Sequence, residues 1–137
     1  MNSKHLISVN CWMPNRDNKK INDIKRVSKD NSIVTDDVIN TINTLKKENI
    51  PFSIKSTITL DTMKYLYDSY DDIVNVLNAG NYFPTIDYRN YIFDSINDEK
   101  FDNIKNEIKY NMFKIIKAEL NYFKQNKNDK SRFEWLN

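Results

Sequence analysis

Short runs of apolar and β-branched residues alternate along the chain with longer segments of helical periodicity. The short runs predict strands near 5–10, 52–58 and 82–86. In the second run, Phe52, Ile54 and Ile58 share one face, because successive side chains of a strand point to opposite faces. The third run contains Pro84, which has no backbone N–H, so it predicts an irregular or edge-like strand.

Apolar residues spaced three and four apart predict helices near 36–48, 60–77 and 98–125. The first begins at Thr35 or Asp36 as the N-cap and ends before Pro51, which cannot continue a helix. The second follows Thr59 as the N-cap, and Gly80 is predicted as the left-handed residue that closes it.

The third helix is unusually long, so we expect a kink or a break in it. Its buried face is predicted from its apolar residues, which are Phe101, Ile104, Ile108, Met112, Ile115, Leu120 and Phe123.

Strands that alternate with helices are typical of βαβ units, in which the strands run parallel. The predicted fold class is therefore α/β, with about three parallel strands. Three parallel strands form a thin sheet whose outer edges carry unpaired backbone groups. Two architectures are consistent with this order. One is a small unit that pairs with another copy, and the other is part of a (β/α)₈ barrel, which needs about 250 residues.

The length of 137 residues predicts a single domain, 1–137, with a basic C-terminal tail over 124–137 that we interpret as a solvated helix end. The net charge of +2 is small, and acidic and basic residues alternate, so no nucleic-acid partner is predicted. No apolar run approaches the roughly 20 residues of a membrane span, and none resembles a secretory signal. We therefore expect no membrane association and a cytoplasmic location.

Four kinds of site are excluded because the sequence has only one cysteine, one histidine and one glycine. Cys11 alone cannot form a four-cysteine zinc site or a self-contained iron–sulfur cluster. His5 alone cannot form a zincin motif, and Gly80 alone cannot form a glycine-rich phosphate loop.

A set of segments in a defined order carries a resemblance to a known family. They are ISVN at 7–10, INDIKRV at 21–27, KDNS at 29–32, TLKKENI at 44–50, STIT at 56–59 and YFPTIDY at 82–88. Together they resemble the middle of a radical S-adenosylmethionine (SAM) enzyme. The resemblance is to the peptide-maturase branch, which carries an additional cluster-binding C-terminal domain.

The resemblance implies a partial (β/α) TIM-type barrel and a set of cofactor-binding residues. Ser8 and Asn10 match the strand end that lies beside the SAM ribose in the family. Arg26 matches an arginine that reaches the carboxylate of the cofactor, and a guanidinium suits that role because it pairs with a carboxylate through two hydrogen bonds. Thr57 lies near the carboxyl end of its strand, where barrel enzymes place site residues.

The chain also departs from the family pattern. The Cys-x-x-x-Cys-x-x-Cys loop that holds the [4Fe–4S] cluster is absent, and Asn10-Cys11 stands where the family has Asp-Gly. These departures predict a truncated or split piece of a peptide-modifying enzyme that is inactive alone. Its partners would be the missing N-terminal half of the barrel or a peptide substrate. The alternative is a small non-catalytic α/β module that binds a protein through exposed strand edges or the third helix.

Overall fold

A computed structural model of the chain describes residues 5–10, 35–60, 62–86, 97–127 and 130–137, with the backbone alone at 5–10 and at 35. The predictions made for Cys11 and Arg26 lie outside the described residues.

The strands form one parallel sheet in sequential order. They are β1 (His5–Asn10), β2 (Phe52–Ile58) and β3 (Asn81–Ile86), with β2 in the centre. Ile54 pairs with Ile7 on one side and with Tyr82 on the other. The predicted α/β class with parallel strands is confirmed, and each predicted strand is present.

The helices follow the strands in the predicted order. They are α1 (Thr35–Lys47), α2 (Leu66–Asp71) and α3 (Asp98–Gln125). A 3₁₀ turn at Met63–Tyr65 precedes α2, and a π-helical turn at Asp72–Val76 follows it. The long helix α3 is assigned as one uninterrupted helix, so the expected break is not in it. The irregular helical geometry lies instead at the two ends of α2.

Asparagine residues in the left-handed region end the first two helical segments. Asn49 has φ 54° after α1, and the amide of Ile50 donates to the carbonyl of Leu45 at 2.9 Å, which is the bond of a Schellman motif. Asn78 has φ 48° after the π turn, where Gly80 was predicted to take this position. Gly80 also has a positive φ of 80°, but it lies two residues later, directly before β3.

The core lies on one face of the sheet. On that face β2 and β3 contribute Ile54, Ile58 and Tyr82, all nearly or fully buried against apolar residues of the helices. The helical residues in this cluster are Ile42, Met63, Leu66, Tyr70, Ile73, Val74 and Ile115. The apolar periodicity predicts a stripe through Val38, Ile42 and Leu45 in the first helix and through Met63, Leu66 and Tyr70 in the second. The second stripe is confirmed, and in the first Ile42 is buried and Val38 packs against the core. On the other face, β2 and β3 carry Ser53, Lys55, Thr57, Asn81, Phe83 and Thr85, none of which is fully buried.

The C-terminal segment returns to the outer edge of β3. Phe133 forms a parallel bridge with Tyr82, and the Tyr82 amide donates to the Arg132 carbonyl at 2.7 Å. Residues two apart in a strand direct their N–H groups to the same side, so position 84, like position 82, faces the outer edge. Pro84 has no N–H to donate there, and the pairing of β3 with β2 is not affected. The Pro84 carbonyl accepts a hydrogen bond from the indole of Trp135 at 2.8 Å.

In the part of the chain that the structure describes, no helix has both the length and the apolar character needed to cross a membrane.

Candidate functional site

Polar residues occupy corresponding positions near the carboxyl ends of the three strands. Asn10 of β1 pairs with Thr57 of β2, and Thr57 pairs with Thr85 of β3. Thr57 and Thr85 are half-buried on the sheet face opposite the core. We call these three residues the edge row. Proteins with parallel α/β sheets place their binding sites at the carboxyl ends of the strands, so the edge row is the candidate functional site.

Of the predicted site residues, the structure pairs Asn10 with Thr57 and places Ser8 two residues before Asn10 on the same strand. Asn10 and Thr57 belong to the edge row, and Ser8 pairs with Lys55 two residues before it. Ser8 and Asn10 are two residues apart on β1 and therefore share one face of the sheet with their partners on β2, Lys55 and Thr57. The sequence also predicted Arg26 for this site, and that residue is not described.

Thr85 is the member of the edge row that sequence reasoning missed. Its hydroxyl donates to the carbonyl of Ser56 at 3.3 Å, across the pairing of β2 with β3. The available signal was its position, because Thr57 and Thr85 each stand one residue before the end of their strands. Beneath the edge row, on the core face, the hydroxyls of Ser56 and Tyr82 are hydrogen-bonded to each other.

A second polar cluster is buried around Glu119 of α3. Its Oε1 accepts hydrogen bonds from the Tyr70 hydroxyl at 2.5 Å and from Arg132 Nε at 3.0 Å, with Arg132 Nη2 at 2.9 Å. Its Oε2 accepts from the Ser131 hydroxyl at 3.1 Å and from the Arg132 amide at 3.0 Å. The Arg132 guanidinium also lies 3.9 Å from the ring centre of Tyr122.

The Glu119 cluster anchors the C-terminal segment rather than forming a reactive site. The side chain of Glu119 is 1% exposed, and both of its oxygens accept several hydrogen bonds from the protein. A carboxylate in this arrangement has little capacity left for a substrate. The interpretation of 124–137 as a solvated tail is therefore wrong at Arg132, whose side chain is 19% exposed and paired with a buried carboxylate.

Tyr70 remains a hydrogen-bond donor in this cluster over a wide pH range. Burial, the hydrogen bond to Glu119 and the charge of Glu119 hold the pKa of Tyr70 well above its usual value. Burial and the neighbouring Asp71 also raise the pKa of Tyr67, which packs at the boundary of the same aromatic group. The Tyr70 ring meets Phe133 edge-on, with centroids 5.8 Å apart.

The third feature is an exposed apolar surface on α3. Phe113, Ile116 and Leu120 are 68%, 40% and 58% exposed, and they line an open groove together with Phe123. We call these four residues the outer seam of α3. The predicted buried face of α3 is therefore wrong at Leu120, and also at Phe101, which is 58% exposed.

Among the described residues, no group of three or more His, Cys, Asp or Glu is arranged so as to hold a metal ion. A scan against models of protein families finds no match to this chain, and searches of curated proteins and of solved structures find none either.

Proposed function

We propose that this chain is part of a radical SAM barrel and contributes Ser8, Asn10, Arg26 and Thr57 to a SAM pocket. The edge row carries the proposal, because it lies at the carboxyl end of a sequential parallel sheet. Among the described residues, the helices pack on the opposite face of that sheet. Helices on the outer face alone are typical of barrels, whereas doubly wound sheets have helices on both faces.

The donor chemistry of these residues fits SAM. An asparagine amide and a threonine hydroxyl can both donate and accept hydrogen bonds, as ribose hydroxyls require. The Arg26 guanidinium would pair with the carboxylate of the methionyl group.

The same chain does not fit the iron–sulfur cluster. Three thiolates are needed to hold the cluster at one site in this family, and the sequence contains only Cys11. The cysteine loop must come from another polypeptide or from a part of the same one outside this sequence. We therefore propose that the chain alone does not modify peptides, and that the other part of the barrel is its partner. A cytoplasmic location is part of the same proposal, and cell fractionation tests it.

Titration with SAM, followed residue by residue with amide NMR spectra, tests the proposal and detects weak binding. We expect the largest shifts at Asn10, Thr57 and Thr85, because these amides lie closest to the proposed pocket. Thr57→Val should weaken binding about tenfold, since one hydrogen bond is lost at nearly constant side-chain volume. Thr44→Val on the exposed face of α1 is the matched control and should leave binding unchanged.

Two results would contradict the SAM proposal. The first is the absence of any shift at millimolar SAM, both for the chain alone and after addition of a polypeptide that supplies the cysteine loop. The second is a set of shifts confined to residues away from the edge row.

A non-catalytic protein-binding module is the second candidate function. The observation that favours it is the outer seam, where large apolar side chains are exposed on a well-formed helix. Contiguous exposed apolar surface commonly marks an interaction site. This candidate predicts binding of a protein that is lost when Phe113 or Leu120 is replaced by serine and is unaffected by SAM.

A further inference from the structure

The outer seam has the spacing of a coiled-coil seam. Phe113, Ile116, Leu120 and Phe123 are separated by three, four and three residues. This is the a/d pattern of a heptad repeat, which favours packing against another helix over packing against a sheet edge. The spacing also predicts that Phe113 and Leu120 act as a-position knobs and Ile116 and Phe123 as d-position knobs.

On α3 itself, the charged residues beside the outer seam all have the same sign. Lys117 and Lys124 line the same groove and occupy the heptad positions directly after the two d residues. Lys109 lies one turn before Phe113. The only acidic residue between 109 and 124 is Glu119, and it is buried against the C-terminal segment. A partner therefore meets an apolar seam with a basic border.

A second copy of this chain is a poor occupant of the seam. In an antiparallel pair, Lys117 and Lys124 would face lysines of the partner copy. In a parallel pair they would face positions 112 and 119 of the second copy. Met112 and Glu119 are directed toward the core of their own domain and could not pair with these lysines. Single-stranded nucleic acid is a poorer match than a helix, because Ile116 and Leu120 separate the two phenylalanine rings of the seam and offer no stacking surface for bases.

We infer that the outer seam of α3 binds an amphipathic helix whose apolar face is bordered by glutamate or aspartate. This inference rests on the second candidate function and names the chemistry of the partner. The apolar seam would supply most of the affinity, because buried aromatic and aliphatic anchors dominate interfaces. The lysine border would select an acidic partner, since charges at these heptad positions set partner choice.

Fluorescence anisotropy with two labelled three-heptad peptides tests the inference. Both carry leucine and isoleucine at a and d, and they differ only in having glutamate or lysine at e and g. We expect the glutamate peptide to bind at least about tenfold more tightly than the lysine peptide, and Lys117→Glu/Lys124→Glu to reverse this order.

Three substitutions locate the binding surface. Phe113→Ser and Leu120→Ser should each weaken binding of the glutamate peptide about tenfold or more. Phe101→Ser is the matched control, because Phe101 is equally exposed on α3 but lies outside the seam. Circular dichroism spectra and thermal unfolding verify that each variant is folded.

The outcomes separate the inference from the candidate function on which it rests. Equal affinity for both peptides, lost in the serine variants, would retain the docking surface and overturn the acidic partner. Binding of neither peptide, or equal loss with Phe101→Ser, would overturn both. Self-association through the seam in sedimentation velocity, or displacement of the peptide by single-stranded RNA, would also overturn the inference.

Discussion

The inner and outer surfaces of α3 reverse the usual distribution of polar and apolar residues. The inner surface buries Asn111 and Glu119 beside Ile115, whereas the outer seam exposes Phe113 and Leu120. The side-chain oxygen of Asn111 accepts a hydrogen bond from the backbone amide of Tyr67 at 2.9 Å. Its side-chain nitrogen donates to the backbone carbonyl of Glu107 at 2.8 Å. The polar groups of the inner surface are thus buried without losing their hydrogen bonds.

This difference shows that burial along α3 depends on which part of the chain packs against each side chain, and not on hydrophobicity alone. A buried polar side chain is tolerated when its hydrogen bonds are satisfied. An apolar side chain stays exposed when no neighbouring element reaches it. Substitutions on the two surfaces should therefore differ in effect, with loss of stability on the inner surface and loss of binding on the outer seam.

The largest effect is expected from Glu119→Ala. Removing this carboxylate leaves the Arg132 guanidinium and the Tyr70 hydroxyl without their buried partner, which should lower the free energy of unfolding by about 3–5 kcal/mol. Urea denaturation measures the change. Glu107→Ala, at an exposed position on the same helix, is the control and should cost less than about 0.5 kcal/mol. Equal effects of the two substitutions would show that the Glu119 cluster does not stabilise the fold.

The neighbouring isoleucines of α3 give the sharpest test of the two surfaces. Ile115 is fully buried and Ile116 is 40% exposed. Ile115→Ala should lower the free energy of unfolding by about 3 kcal/mol, because it removes buried apolar surface and leaves a cavity. Ile116→Ala should cost less than about 1 kcal/mol by the same urea measurement. A larger loss for Ile116 would mean that the outer seam is covered in solution.

Tyr70 should make the free energy of unfolding depend on pH in the alkaline range. Its pKa is higher in the folded than in the unfolded state, so the unfolded chain releases this proton first as the pH rises. The stabilisation is fully present below the unfolded pKa of about 10 and is lost above it, at about 1.4 kcal/mol per pH unit.

Urea denaturation at a series of alkaline pH values measures this dependence. Tyr70→Phe should flatten the decline in stability, and Tyr110→Phe, at an exposed position, is the control. Because the pKa of Tyr67 is also raised, Tyr67→Phe should remove a further part of the decline. An unchanged decline in the Tyr70 variant would contradict the assignment of this residue as the buried protonated donor.

The smallest effect on stability is expected on the outer seam. The double substitution Phe113→Ser/Leu120→Ser should change the free energy of unfolding by less than about 1 kcal/mol, since both side chains are mostly exposed. The same variant should bind less of a dye that reports exposed apolar surface. A strongly destabilised variant would show that this seam belongs to the folded core.

The local sequence was sufficient to predict most of the elements. All three strands, the bounds of α3 and the apolar stripe through Met63, Leu66 and Tyr70 agree with the structure. These features depend on nearest-neighbour chemistry, such as side-chain periodicity and turn residues, which is visible in a single sequence. Gly80 was a reasonable terminator, but Asn78 is the residue that adopts the left-handed conformation directly after the helical segment.

The edge row could be predicted only in part. Asn10 was selected from the family resemblance and Thr57 from its strand end, and pairing in register brings them side by side. Thr85 has the same place in its strand as Thr57, but that it lies beside Thr57 depends on the register between β2 and β3, which no local pattern specifies.

By itself, the sequence determined the order of strands and helices, the parallel α/β class and the polar character of the strand ends. Only the tertiary structure decided which surface of α3 is buried, because the helix carries two apolar stripes and the periodicity does not rank them. The choice depends on long-range hydrogen bonds between Glu119, Tyr70 and Arg132, which lie far apart in the chain. Those contacts bury a carboxylate and leave Phe113 and Leu120 exposed on the other surface of the helix.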